Sequence, residues 1–323
     1  MPAAITIQNR SAPSRAKQLK RDLLTLTEFT PRELAALLEL ASKIKKSPRK
    51  YARALSGQTL AMIFHKSSTR TRVSFEVAMY QLGGHALFLS GSEIQLNRGE
   101  TIADTARVLS RYAQGIMIRT FGHAVVEELA AAASVPVING LTDRHHPCQI
   151  LADLLTLKER HGRLKGLKLV YVGDGNNVVH SLLIGTALAG IHFKVICPEG
   201  YLPDPVLVDY AAREGKRQGA SVEISHKLSI RGADAVYTDA WTSMGQEAEM
   251  AVRLKAFQGY GVTKELMLES PSAVFLHCLP AHRGEEVEDE VIDSPRSAVW
   301  DQAENRLHVQ KAVLLELLKG RTK

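Results

Sequence analysis

A chain of 323 residues exceeds what one hydrophobic core ordinarily supports and fits two domains. With 45% hydrophobic and 23% charged residues it has the composition of a folded globular protein, which excludes a disordered chain. The formal charge of +7 favours anionic partners, but the basic runs RAKQLKR (15–21) and KIKKSPRKYAR (43–53) lack interleaved aromatics and any zinc-finger, RNA-recognition or helix-turn-helix signature, so nucleic acid is not the expected partner.

The N-terminal stretch MPAAITIQNRSAPSRAKQ is polar and has no apolar core of the kind a signal peptide carries. Strands are expected at 59–64, 85–89, 115–119 and 135–138, with helical spacing between them at 69–82 and 101–113. CQILADLLTLKERHG (148–162) is a strong helix, apolar at 150, 151, 154, 155 and 157, and links the two halves. The second half offers strands at 167–172, 193–197, 221–225, 234–238 and 273–277, and ENRLHVQKAVLLELLKG closes the chain as an amphipathic helix. No apolar run reaches the length of a membrane span. Three cysteines far apart, Cys148, Cys197 and Cys278, suit a reducing cytoplasm rather than a disulfide framework. The alternation of strand and helix predicts an α/β fold of two domains, each a parallel sheet covered by helices on both faces and joined by interdomain helices. The expected division is 1–147 and 148–304, with 305–323 packing back on the first domain.

The segments just beyond the strands carry the chemistry. SSTRTR comes after 59–64, Arg119 ends 115–119, and NGLTDRHHPCQ comes after 135–138; GDGNN, DAWTSMG and CLPAHRGEE stand at the ends of strands in the second half. Ligands of open parallel sheets bind beyond the carboxyl ends of the strands, so clustered Arg, His, Asn and Gln there predict one cleft between two domains. SSTRTR opens a helix, whose first turn offers free N–H groups and the positive end of the dipole. Ser68 or Thr69 as a simple N-cap needs no arginine, and two cations in a first turn are unfavourable unless an anion offsets them. The stretch is therefore an expected anion site, with Arg70 its main cation and Lys66 and Arg72 structural or peripheral. GxxxxGK[ST] is absent and GDGNN lacks the third glycine of a dinucleotide fingerprint, which argues against ATP, GTP and NAD.

In RHHPCQ, Pro147 suits the first helical position, which sets His146 and Gln149 on one face at a helix start. His could polarise a carbonyl and Gln hold an amide, while His145 has the weaker case. No HExxH or paired-cysteine spacing occurs, so no metal is expected. Cys278 at a strand end reads either as a buried thiol or as a nucleophile with His277 or His282 as its base. Asp239 could pair a ligand ammonium, with Ser243 beside it, or simply cap a turn.

Taken together and in this order, SSTRTR, HHPCQILADLLT, GDGNN, DAWTSMG and HCLPA resemble the aspartate/ornithine carbamoyltransferase family from about residue 20 to 318. SMG and HCLPA resemble the ornithine-using branch. The resemblance implies a first domain for carbamoyl phosphate, a second for L-ornithine, and no cofactor. Ser68, Thr69, Arg70 and Thr71 then match phosphate contacts, and Arg119, His146 and Gln149 match carbamoyl contacts. Gln95 matches a residue given to a neighbouring subunit, and Cys278, Leu279 and Arg306 complete the carbamoyl phosphate set. Asn177, Asp239, Ser243 and Met244 match the ornithine contacts. Arg70, Arg119, His146 and Cys278 are the implied catalytic residues. The implied partners are these two small molecules and further copies of the chain in a trimer or a multiple of trimers, with neither nucleic acid nor membrane.

Overall fold

A computed structural model describes residues 20–95, 99–243 and 245–319. The first half runs α1 (Pro31–Lys46), β1 (Thr59–Phe64), α2 (Thr69–Gln81), β2 (His85–Ser90), α3 (Ile102–Tyr112), β3 (Gly115–Arg119), α4 (His123–Ala132) and β4 (Val137–Leu141). α5 (Pro147–His161) then leads to the second half. There the chain forms β5 (Lys168–Val172), α6 (Asn177–Ala189), β6 (His192–Ile196), α7 (Pro205–Gln218), β7 (Val222–Ser225) and β8 (Ala235–Thr238). α8 (Met250–Ala256), α9 (Lys264–Met267), β9 (Val274–His277), α10 (Asp289–Ile292) and α11 (Val299–Leu318) complete the described chain.

All strand pairs are parallel, in the orders β2-β1-β3-β4 and β7-β6-β5-β8-β9. The expected α/β fold of two helix-covered parallel sheets is therefore the observed one. In each sheet the first strand to enter lies inside, and the chain then adds strands on either side of it. The order reverses at β1 and at β5, and the crevices at these reversals are where an open parallel sheet takes ligands. SSTRTR lies just past β1 and GDGNN just past β5. The central strands β1, β3 and β5 are nearly continuous apolar runs because both of their faces are covered.

Two elements depart from expectation by more than a single residue at an end. β4 is Val137–Leu141 rather than 135–138, because residues that read as a turn, Asn139 and Gly140, are accommodated inside the strand. Asn139 is fully buried and its amide donates to the Leu24 carbonyl, 2.8 Å. A Cβ on Gly140 would sit 2.7 Å from the Met117 sulfur, so glycine permits this close approach. α11 begins at Val299, earlier than the expected 305. Its N-cap is Ala298, which makes no side-chain cap, so no capping residue marked the start. α11 packs on α5, α1 and α2. Among the described residues no helix is long and apolar enough to cross a membrane.

Candidate active site

The strand ends of both sheets, with α11 between them, wall one cleft of about 710 Å³. The first half contributes Ser68, Arg70, Thr71, Arg119, His146 and Gln149. The second contributes Asn177, Asp239, Ser243, Cys278 and Leu279, and α11 contributes Arg306. Two expected residues are elsewhere. Thr69 opens α2 on the side of a smaller cavity of about 380 Å³, shared with Arg72 and Phe88. Gln95 is exposed and lines neither of these cavities. Met244 lies outside the described residues.

Local sequence explains the positions. Ser68 caps α2 by accepting from the Thr71 N–H at 3.2 Å, so capping and anion binding share one turn. Arg70 reaches across the cleft and donates to the Leu279 carbonyl. Leu279 has φ +58°, uncommon for a residue with a side chain, and its N–H is held by His277 Nδ1 at 2.9 Å. Arg306 donates to Gln149 Oε1 at 2.7 Å and to Thr71 Oγ1 at 3.1 Å. Pro147 starts α5, as its fixed φ favours, with His146 as the cap residue. In GDGNN the two asparagines divide the work. Asn176 caps α6 through Oδ1, accepting from Val178 and Val179, and donates through Nδ2 to Asp239 at 2.8 Å. Asn177 donates to the Thr142 carbonyl at 2.6 Å, tying the loop to the first half. Gly175 is required here because a Cβ would stand 2.3 Å from the Pro203 nitrogen.

The electrostatics define two ends. At one, Arg70, Arg119 and Arg306 converge. Burial first, then the Arg306 and Arg70 guanidiniums, bring the Arg119 guanidinium down to about 9, and burial also lowers Arg306. Arg119 Nε, Arg306 Nε and His146 Nδ1 are buried without a hydrogen-bond partner among the described residues. Mutually repelling cations with unengaged donors are the signature of a site that takes an anion. Burial, followed by the same three arginines, pushes His146 well below the ordinary histidine range, so its imidazole is neutral and can polarise a carbonyl. At the other end Asp239 accepts from Cys278 Sγ at 2.9 Å. Burial first, and the Asp239 carboxylate second, push the Cys278 thiol well up. A thiol held protonated is a poor nucleophile. One of its two suggested bases is also committed: His277 accepts from Leu279 N–H through Nδ1 and meets Glu286 through Nε2 at 3.2 Å. Asp239, His277 and Cys278 bring possible metal-ligand atoms within 4.8 Å of one another, as do His282, Glu285 and Glu286. In the first set both His277 nitrogens are already engaged.

Asp174 is a wall residue that sequence reasoning missed, while Lys66 and His145 had been given minor parts. Lys66 lines the cleft, pairs with Asp143 and stands 4.5 Å from the Phe121 ring centroid. Its sequence signal was its place next to SSTRTR. Asp174 is tied to Arg253 at 2.9 Å, a pair 79 positions apart in the chain. His145 lies behind the wall, stacked edge-on to His123 at 4.9 Å and brought down to about 3 by burial and the neighbouring imidazoles.

The two halves match, in chain order, two halves of one known family. Residues 21–159 match the carbamoyl-P binding domain, and 165–317 the Asp/Orn binding domain, of aspartate/ornithine carbamoyltransferase. The chain belongs to the aspartate/ornithine carbamoyltransferase family. Among its relatives, the ornithine carbamoyltransferase of Pyrococcus abyssi is 56% identical over 305 residues, 93% of this chain and 96% of that protein. That of Symbiobacterium thermophilum is 58% identical over 299 residues, 91% and 96% of the two chains. The solved structure of ornithine carbamoyltransferase from Pyrococcus furiosus superposes with a TM-score of 0.90 at 55% identity, covering 94% of this chain and 98% of that one.

Proposed function

We infer that this chain transfers the carbamoyl group of carbamoyl phosphate to the δ-amine of L-ornithine, giving L-citrulline and phosphate. The observation that carries the reading is one cleft with three arginines and a neutral histidine at one end and Asp239 with the protonated Cys278 at the other. We assign phosphate to Ser68, Arg70, Thr71 and Arg119, with the backbone of Thr69 at the helix start. The carbamoyl group falls to His146, Gln149, Arg306 and the Cys278–Leu279 turn. Asn177, Asp239, Ser243 and Met244 hold the amino acid. The carbamoyl phosphate half is residues 1–147 with α11 folded back, and the acceptor half is 148–304, divided at the start of α5, which packs on both β4 and α6.

The neutral δ-amine attacks the carbonyl carbon, the carbonyl electrons move to oxygen, and a tetrahedral intermediate forms. Collapse breaks the bond to the phosphate oxygen, and the proton that the amine loses leaves on the departing phosphate. Arg70, Arg119 and His146 stabilise the charge that develops on the oxyanion and on the leaving phosphate, a type of term that supplies much of an enzyme's rate. Cys278 positions the amine without forming a bond to it.

Aspartate, putrescine and N-acylated ornithine are the other acceptors this family of sites invites. The acceptor end carries Asp174 and Asp239, and Arg253, which lines the cleft beside them, is committed to Asp174, so a second acceptor carboxylate meets repulsion. Putrescine carries no carboxylate or α-amino group to use the remaining donors. Citrulline formation from carbamoyl phosphate with the four acceptors side by side tests the reading: ornithine should exceed each of the others, and preference for any of them overturns it.

We further propose that the chain works as a homo-oligomer, a trimer or a multiple of trimers, with Gln95 serving a neighbouring copy. β2 is an edge strand with Leu87 and Phe88 exposed, an unpaired face suited to another copy. Light scattering on the purified protein decides it. A cytoplasmic location is proposed on the three free cysteines.

A further inference from the structure

Asp153 is completely buried in α5, one turn beyond Gln149, and no step of the transfer uses it. Its Oδ1 accepts from Gln149 Nε2 at 2.9 Å and from Gln302 Nε2 at 2.7 Å. Gln302 is itself pinned, since its Oε1 accepts the His277 N–H at 3.0 Å and its Nε2 also meets the Tyr237 hydroxyl at 3.2 Å. Asp153 is therefore a fixed acceptor held by the helix and strand end behind the site.

The consequence falls on Gln149. A glutamine amide has a donor edge and an acceptor edge of nearly the same shape, and its partners decide which faces a ligand. Oδ1 of Asp153 can only accept from Gln149, so the amide NH2 turns toward it. The carbonyl oxygen then turns the other way, toward Arg306 and the cleft, where the guanidinium donates at 2.7 Å. A reversed amide would set NH2 against the guanidinium and leave the carbamoyl NH2 facing a donor. Burial brings the Asp153 carboxyl up to about 7, yet Oδ1 accepts in either protonation state, so the orientation survives titration.

We propose that Asp153 is a positioning residue that locks the Gln149 amide with its oxygen toward the carbamoyl NH2, so that the site tells carbamoyl phosphate from acyl phosphates lacking that group. The proposal rests on the assignment of Gln149 to the carbamoyl end.

Acetyl phosphate carries a methyl in place of the NH2 and is the discriminating probe. Affinities for carbamoyl phosphate and acetyl phosphate are measured by calorimetry, or by competition in the citrulline assay, on Asp153→Leu, Asp153→Asn and Gln149→Ala. Asp153→Leu refills the volume without an acceptor and should lower the carbamoyl-to-acetyl preference by roughly tenfold, the worth of one well-placed buried hydrogen bond. Acetyl phosphate binding should hardly change. Asp153→Asn keeps an oxygen for both glutamines and should keep the preference, and its fold is the safer of the two. Equal loss for both ligands in either variant, or no loss in a folded Asp153→Leu protein, overturns the proposal and leaves Asp153 a structural residue. An unchanged preference in Gln149→Ala instead overturns the carbamoyl assignment of Gln149, and the proposal with it.

Discussion

At the residue scale the site works by opposed charge placement. Arg70 combines a position in the first turn of α2 with a reach to Leu279 on the other half, so one side chain joins the two walls of the cleft. Arg70→Ala should lower kcat by about 10²–10³ with weaker carbamoyl phosphate binding, the usual cost of removing an electrostatic donor; steady-state kinetics checks it. Cys278→Ser preserves a donor to Asp239 and should retain measurable turnover, with no thioester seen by mass spectrometry in the native protein. The nucleophile itself sets the pH profile. A lysine-like amine loses its proton near pH 10.4, so kcat/KM for ornithine should rise about tenfold per unit across neutral pH. A flat profile would remove free-amine attack from the mechanism. SSTRTR, His146, Gln149 and Asp239 were legible one by one because each cluster stands directly beyond a strand. The partners of Lys66 were not legible, because its ion pair with Asp143 and its place over Phe121 exist only after folding.

At the element scale, each loop is made by its neighbours. GDGNN looked like a failed dinucleotide fingerprint, but its glycine at 175 serves the close approach of the 201–203 backbone, Asn176 serves both a cap and Asp239, and Asn177 serves the Thr142 carbonyl. Gly175→Ala should therefore cost about 1–3 kcal/mol of stability, as overpacking does, and raise KM for ornithine while leaving phosphate affinity nearly unchanged. Thermal unfolding and inhibition by inorganic phosphate measure the two parts. The strands were located well from sequence because fully covered parallel strands are short apolar runs between turn signals. β4 was displaced because a buried Asn-Gly pair imitates a turn until Leu24 arrives to accept its amide. The early start of α11 was invisible for want of a capping residue.

At the scale of the whole molecule, binding and protonation both enter the stability. The guanidinium cluster costs free energy that an anion removes, so carbamoyl phosphate should raise the unfolding midpoint, with a stabilisation that grows with the logarithm of its concentration and reaches about 2.7 kcal/mol at one hundred times Kd. Asp153 acts in the opposite sense. Its carboxyl binds its proton more tightly when folded, about 7 against an ordinary 3.8, so its contribution is complete below pH 3.8 and is lost as pH rises to about 7. Asp153→Asn should accordingly gain stability over the native protein more at pH 8 than at pH 5, measured by denaturant unfolding at both. The sequence by itself determined the parallel α/β architecture and the order of the ligand-facing clusters, because periodicity and turn chemistry are local. Only the tertiary structure decided which clusters meet. The convergence of Arg70, Arg119 and Arg306, the thiol on Asp239 and the lock on Gln149 join residues up to 236 positions apart in number, Arg70 to Arg306. Such contacts depend on strand order and on α11 returning across both halves, which no local pattern encodes.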